Sequence, residues 1–481
     1  MPNEAMLIAV DLGATSGRVI AGTVTANSVE LRQTSRFANA PVTIWEGTTP
    51  ARHWSILDLY RGAIEGLRTA VREAAAANVS VASIGVDSWG VDYGRLSNGR
   101  MRDIPYHYRD ERTTAGVAAA HALMPHAELY AINGLQHLPI NTVYQLMADL
   151  EAGNLEGIDS ILQIPDLFNY WLTGVQRAET TNASTTGLLD IRTREWSRPL
   201  VERLGLPFGM LPQLSTPGET IGSLLPSVTD EIGAASSVPV VSVGSHDTAS
   251  AVVAIPSTSH DFAYISSGTW SLVGLELDAP VLTEASRKAN FTNEAGVDNT
   301  VRYLKNVMGM WLLSECLGEW ERAGTPQDLV SLLREAETVS GAAVFDVDHP
   351  ELLPAGPMTR RIAARCDEAG QPIPSTPAEF VRSIVESLAA AYAVHINDAC
   401  ELSGSSVSSI HIVGGGSQNA LLCQLTANQT GLPVIAGPVE GTAMGNVLVQ
   451  ARSAGIVSGD VETLRAIVSA STQLTRYEPQ R

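Results

Sequence analysis

Cysteine is scarce in this chain: Cys316, Cys366, Cys400 and Cys423 are the only four in 481 residues, with no CxxC pair and no framework spacing. That excludes a disulfide-stapled scaffold, and four free thiols in so long a chain read as a protein of a reducing compartment. No pair of histidines has the helical ligand spacing of HExxH. Long hydrophobic runs are missing too. The first apolar stretch ends at Asp11 with no basic segment before it, so it is not read as a signal peptide. The most apolar helical stretch, 387–400, carries His395 and Asp398 and is too short to cross a bilayer. Positive charge is in deficit, with 31 Lys and Arg against 51 Asp and Glu and a net charge of −20. Nucleic acid and anionic membrane surfaces are therefore unsuited as main partners. The expectation is a cytoplasmic protein with no membrane segment.

What is present is a globular composition, 44% hydrophobic and 17% charged, long enough for two or three cores. Residues 240–252, VVSVGSHDTASAV, begin as a β-branched strand that breaks at Gly244. Asp247 then stands at a strand-to-helix turn, where open α/β sheets bind ligands. A carboxylate there can accept a proton from a bound hydroxyl, and capping of the following helix is the equally simple alternative. Near the start, strand 7–10 ends at Asp11, and Leu12-Gly13-Ala14-Thr15-Ser16-Gly17-Arg18 leads into strand 19–24. Such a turn exposes N–H groups that can cradle phosphate oxygens, although a plain glycine hairpin is the commoner reading by itself. Neither GxxxxGK[ST] nor GxGxxG occurs. Asp11 discriminates, because a carboxylate beside a phosphate is repulsive unless a divalent cation, Mg²⁺ by preference, lies between them.

A third strand, 29–37, completes a meander, and the apolar spacing predicts a helix over 56–76. Strand 81–86 ends in Asp87-Ser88-Trp89-Gly90-Val91-Asp92-Tyr93. An aromatic face beside carboxylates suits a sugar, while a Trp that merely packs is the plainer alternative. The polar stretch 106–113 reads as a solvated loop, with Arg109-Asp110 able to hold a polar ligand. The second half then repeats the opening: strand 262–267, Gly268-Thr269-Trp270-Ser271, strand 272–277. Two domains of related fold follow, 1–255 and 256–481, joined at a Pro-Ser-Thr linker. Strand 301–305 runs to Asn306. A helix is expected to begin at Thr325-Pro326, and 349–377 is read as a long surface loop. Thr376-Pro377-Ala378-Glu379 is a capping box that opens the longest helix. Strand 410–413 enters Gly414-Gly415-Gly416-Ser417-Gln418-Asn419, where consecutive glycines let a flat or phosphorylated ligand approach the backbone. The last strand is placed at 432–435.

Three meander strands followed by alternating strands and helices, twice over, resemble the duplicated ribonuclease-H-like α/β domain of the sugar kinase, hexokinase, actin and Hsp70 superfamily. The strings Val10 to Arg18, Asp87 to Asp92, Ser245 to Ala251, Ser266 to Ser271, Leu304 to Met308 and Gly414 to Asn419 look more specifically like the FGGY carbohydrate kinases, in that family's order over the whole chain. Within it they resemble the branch that acts on rhamnulose. The resemblance implies an interdomain catalytic cleft and ATP-dependent phosphorylation of L-rhamnulose at O1, in L-rhamnose degradation. A sibling kinase for L-fuculose or D-xylulose, or an ATP-binding protein of the superfamily without kinase activity, are the alternatives. By motif position Asp247 is the general base. Ala14, Thr15, Ser16, Gly17, Arg18, Thr269, Ser314 and Gly415 hold ATP, and Asp11 acts on Mg²⁺. Gly90, His246, Asp247, Thr248 and Asn306 line the ketose site. The family often has Gln as a nucleotide contact where Ser314 stands here.

Overall fold

A computed structural model of the chain describes residues 5–257 and 259–480. It divides into two compact units, each built from three pieces of chain. The first comprises Met1–Thr258, Glu276–Tyr303 and Gly441–Ser471; the second comprises Ser259–Leu275, Leu304–Glu440 and Thr472–Arg481.

The first unit is organised on β1 (Ala5–Leu12), whose sequence AMLIAVDL is buried throughout its last seven residues. A strand apolar on both faces needs cover on both, as in parallel α/β sheets. β1 pairs antiparallel with β2 (Ser16–Val24), which pairs antiparallel with β3 (Val29–Ala38). On its other side β1 pairs parallel with the strand Ser80–Ser88, and Pro239–Val241 pairs parallel beyond that. α1 (Ile56–Ala76) buries Ile56, Leu59, Ala63, Ile64, Leu67 and Val71 from one face, as the periodicity predicts. The helix Gly441–Ser453 covers the sheet with Val447 and Leu448, in one core cluster with Leu7, Ala9 and Ile20.

The second unit repeats the plan. Phe262–Ser267 pairs antiparallel with Trp270–Leu277, and the strand Val301–Met308, which belongs to this unit from Leu304 on, follows in the sheet. Ser409–Val413 pairs parallel with Phe262–Ser267, and Val434–Ala436 pairs parallel with Ser409–Val413. The expected duplicated α/β architecture is therefore present. The capping box at Thr376 forms as read and starts the 27-residue helix Pro377–Ser403, which Gly404 ends in a left-handed conformation.

Four expectations need correction. Residues 349–377 are not a continuous loop: Met358–Glu368 is a helix that buries Met358, Ile362 and Cys366, a four-residue spacing masked by the surrounding prolines. The helix expected from Thr325 begins at Leu329, because Asp328 accepts the Ser331 N–H as its cap. Val434–Ala436 is not the last strand, since Thr475–Tyr477 pairs antiparallel with it. The stretch 106–113 is not solvated, because His107 and Tyr108 are buried against Trp54. Among the described residues no helix is long and apolar enough to cross a membrane.

One contact ties this frame to the candidate site. Gly445 lies so close to the short helix Asp247–Val253 that a Cβ there would sit 1.8 Å from the Ser250 carbonyl oxygen. Backbone cannot yield as a flexible side chain does. Gly445→Ala is expected to cost about 1–3 kcal/mol as overpacking, read as a lower urea midpoint at unchanged slope. An unaltered midpoint would contradict this packing.

Candidate active site

Strand register assembles the acidic centre of the first unit. Asp11 and Asp87 are Cα partners on the parallel strands β1 and Ser80–Ser88, and Leu12 partners Ser88. Ser88 in turn bridges His246, and its N–H donates to the Ser245 carbonyl at 2.9 Å. Two strand ends and the turn that follows Pro239–Val241 thus bring Asp11, Asp87 and Asp247 to the carboxyl end of the parallel strands.

Asp87 is fully buried. Burial first, and then the neighbouring carboxylates Asp11 and Asp247, push its carboxyl well above the usual carboxylate range. Its Oδ2 accepts from the Asn446 amide, while Oδ1 is buried without a hydrogen-bond partner. A relay holds Asn446: Gln450 Nε2 donates to its Oδ1 at 2.6 Å and to the Ile8 carbonyl at 3.1 Å, and Ser83 donates to Gln450 Oε1 at 2.7 Å. An unpartnered buried oxygen beside a second carboxylate is the kind of donor a hard divalent cation takes, but the described residues hold no group of three or more acids, histidines or cysteines placed to ligate a metal by themselves. Arg18 brings a cation to the group, its Nε 3.9 Å from Asp11 Oδ2 across β1 and β2.

The turn between those strands is tied by the Gly13 N–H to the Ser16 carbonyl at 3.0 Å and by Asn39, which donates to the carbonyls of Gly13 and Thr15. No described residue takes the N–H groups of Ala14 and Thr15, which suits an anion. Gly17 is buried where a Cβ would collide with the Phe37 ring, so its lack of a side chain serves packing.

Asp247 is the first residue of its helix, and His246 is the N-cap residue. Asp247 Oδ1 accepts the Thr248 N–H at 2.6 Å and the Thr248 hydroxyl at 3.2 Å. Its side chain is 32% exposed, unlike the other two acids. Thr248 is buried and spends both donors on Asp247. The turn before it hangs on Glu179, which sequence reasoning missed. Glu179 is fully buried and accepts from the Ser245 N–H at 3.0 Å, the Ser245 hydroxyl at 2.8 Å and the Thr181 N–H at 2.9 Å. The Thr181 hydroxyl also donates to Glu179 and accepts the His246 N–H at 3.2 Å. The one signal was Glu179-Thr180-Thr181-Asn182, an acid before three short polar residues.

Beside Asp87, Trp89 is buried on Trp54 at 4.1 Å between ring centroids, and both indole N–H groups donate to Asp92 Oδ2. Trp89 therefore packs and presents no open face to a sugar. Burial, opposed by four hydrogen bonds, pushes the Asp92 carboxyl up to about 6. Gly90 lies against Thr185, and Val91 adopts φ of 68°, rare for a β-branched residue. The Thr185 hydroxyl accepts the Val91 N–H at 3.2 Å, and the Thr142 hydroxyl donates to the Val91 carbonyl at 2.6 Å. Backbone strain held by its surroundings gathers at functional sites.

In the second unit, Thr269 sits in the turn after Phe262–Ser267, and its carbonyl accepts the Trp311 N–H at 3.1 Å. That bond joins the turn to the helix Trp311–Arg322, on which Ser314 is exposed. Gly414 has φ of 82°, and Cβ atoms at Gly414 and Gly416 would strike Ser267, whereas Gly415 faces open space. The Thr269 turn and the glycine run thus share the carboxyl ends of two adjacent parallel strands. Asn306, half-buried in Val301–Met308, belongs to this unit and not to the one holding His246–Thr248.

Glu179→Gln places an amide donor among donors. The expected result is a loss of about 1–3 kcal/mol in stability, seen in thermal unfolding, with a lower turnover than wild type. Full stability and turnover would remove Glu179 as the anchor of the turn.

Two family descriptions match the chain: the N-terminal domain of the FGGY family of carbohydrate kinases over residues 6–254, and the C-terminal domain over 263–454. A rhamnulokinase of Bacteroides thetaiotaomicron is 38% identical over 475 residues, covering 98% of this chain and 95% of that one. A rhamnulokinase of Pectobacterium atrosepticum is 39% identical over 480 residues, covering 98% and 93%. Among solved structures, a ligand-bound xylulose kinase from Lactobacillus acidophilus superposes with a TM-score of 0.77 at 16% identity, covering 99% of this chain and 94% of that one. Plasmodium falciparum glycerol kinase with ADP gives 0.75 at 12%, covering 99% and 95%. These two likenesses concern the fold. With both domain descriptions matched in order and near-full-length relatives at this identity, the chain belongs to the FGGY family of carbohydrate kinases.

Proposed function

We propose that this carbohydrate kinase transfers the γ-phosphoryl group of ATP to O1 of L-rhamnulose, giving L-rhamnulose 1-phosphate and ADP, in the cytoplasmic breakdown of L-rhamnose. Sugar kinases of this family use ATP with a divalent metal. The choice of sugar is supported by relatives named rhamnulokinase at 37–39% identity over nearly the whole chain.

The observation that carries the mechanism is the contrast between Asp247 and its two acidic neighbours. Asp11 and Asp87 are buried, while Asp247 is partly exposed, with Oδ1 committed to Thr248. Asp247 Oδ2 is the oxygen left to accept the sugar hydroxyl proton as the oxygen attacks phosphorus. The domain 1–255 supplies the sugar and phosphate side: Gly90, His246 and Thr248 for the ketose, and the turn from Ala14 to Arg18 for phosphate oxygens. The domain 256–481 supplies the nucleotide side, Thr269, Ser314 and Gly415, and adds Asn306 to the sugar contacts. Mg²⁺, held by Asp11 through water, would neutralise charge on the transferring phosphate. Asp87 adds an acidic oxygen to the same donor set.

Asp247→Asn keeps the shape and removes the base. Turnover of L-rhamnulose, followed as ADP release, is expected to fall about 10²–10⁴-fold, while ATP still binds as in wild type. Undiminished turnover would return Asp247 to a structural role. Loss of ATP binding would mean that it serves the nucleotide.

A further inference from the structure

His246 stands beside the proposed base, and what lies behind its ring decides what it offers at the front. His246 is buried, 8% exposed. Behind it sit two charged side chains that sequence reasoning did not single out: Glu294, in the strand Thr292–Ala295, and Arg302, in Val301–Met308. Both belong to the first unit with His246. Glu294 is 4% exposed and Arg302 is fully buried.

A guanidinium with no solvent is tolerable only when its donors are met. Arg302 Nε donates to the Ala295 carbonyl at 3.1 Å, and Nη1 lies 3.0 Å from Glu294 Oε2. Its Nη2 meets His246 Nδ1 at 3.1 Å. Burial works against an ionised Glu294, but the Arg302 guanidinium holds its carboxyl below the usual range. Glu294 is therefore the counter-ion that keeps Arg302 in place.

Two groups compete for His246 Nδ1, because Glu294 Oε2 is also 3.1 Å from it. A carboxylate there asks for a proton on Nδ1; a guanidinium, which only donates and never deprotonates, asks for a lone pair. The two demands exclude each other. Arg302 Nη2 meets Nδ1 in hydrogen-bonding geometry, whereas Glu294 Oε2, though 3.1 Å from Nδ1 and 3.0 Å from Arg302 Nη1, is in hydrogen-bonding geometry with neither. A proton on Nδ1 would press two N–H groups together in a buried site.

We infer that Arg302 is a positioning residue: by donating to His246 Nδ1 it fixes the ring with its proton on Nε2, turned toward Asp247. His246 Nε2 lies 3.5 Å from Asp247 Oδ1, the oxygen that already accepts from Thr248. An N–H on that side attracts the carboxylate and leaves Oδ2 for the substrate. A bare lone pair would repel it and turn the base away. The role rests on the reading of Asp247 as the base; the position of the proton does not.

The test separates the two. Imidazole ¹⁵N–¹H correlation spectra of the resting, full-length enzyme, with His246 assigned by its loss in His246→Gln, report which nitrogen carries the proton, without substrate. The expected result is a proton on Nε2; a proton on Nδ1 overturns the inference whatever the enzyme phosphorylates. In Arg302→Gln, Glu294 gains the ring, so the proton is expected to move to Nδ1. The kcat for L-rhamnulose should then fall about 10- to 100-fold, the usual effect of losing a residue that orients a histidine, while KM for ATP holds. A shifted proton with unchanged kcat overturns the positioning role. Should Arg302→Gln fail to fold, Arg302→Lys retains charge and a donor. It is expected to keep the proton on Nε2 and to lose less turnover than Glu294→Gln, which frees the guanidinium. The reverse order also overturns the inference.

Discussion

Repulsion among carboxylates is the constraint on which the first unit depends. A parallel pairing that sets Asp11 opposite Asp87, and a bridge that brings His246 beside Ser88, leave no freedom to spread the three acids apart. Each acid meets that constraint differently. Asp87 is buried and driven toward its neutral form. Asp11 faces Arg18 across the hairpin. Asp247 stays partly exposed and is steadied by the backbone and hydroxyl of Thr248. Groups of one chemical kind thus acquire different properties from their surroundings.

Holding such a centre requires rigid support, and most of it comes from buried polar groups. Glu179 gathers the N–H and hydroxyl of Ser245 together with the Thr181 groups. The Ser83–Gln450–Asn446 relay reaches Asp87. Arg302 and Glu294 lie behind His246. Buried networks of this kind favour one arrangement of side chains, and breaking one member leaves its partners buried and unsatisfied. The close approach of Gly445 to Ser250 adds a steric stop beneath the helix that carries Asp247.

The sequence made the front of the site legible and hid the back. Asp11, Asp87 and Asp247 each follow an apolar run that must be a buried strand, so their places at strand ends could be read directly. The duplicated meander could be read for the same reason. The supports could not. Asn446 lies 359 residues from Asp87, and Arg302 lies 56 from His246. No local spacing announces a partner at that distance. Trp89 shows the opposite failure: a motif that suits a sugar face closes on Trp54, because Asp92 takes both indole N–H groups. The helix Met358–Glu368 was lost among prolines that flank it without entering it.

The central claim is that this acidic strand-end site serves a rhamnulose kinase. The most direct measurement is ADP release with Mg·ATP against L-rhamnulose, L-fuculose, D-xylulose, L-ribulose and L-xylulose in parallel, with the phosphorylated carbon identified by ³¹P NMR. The account predicts the highest kcat/KM with L-rhamnulose and a phosphate on O1. Preference for another ketose would keep the chemistry and overturn the substrate. No ADP release from any of them, with ATP still bound, would contradict the account as a whole.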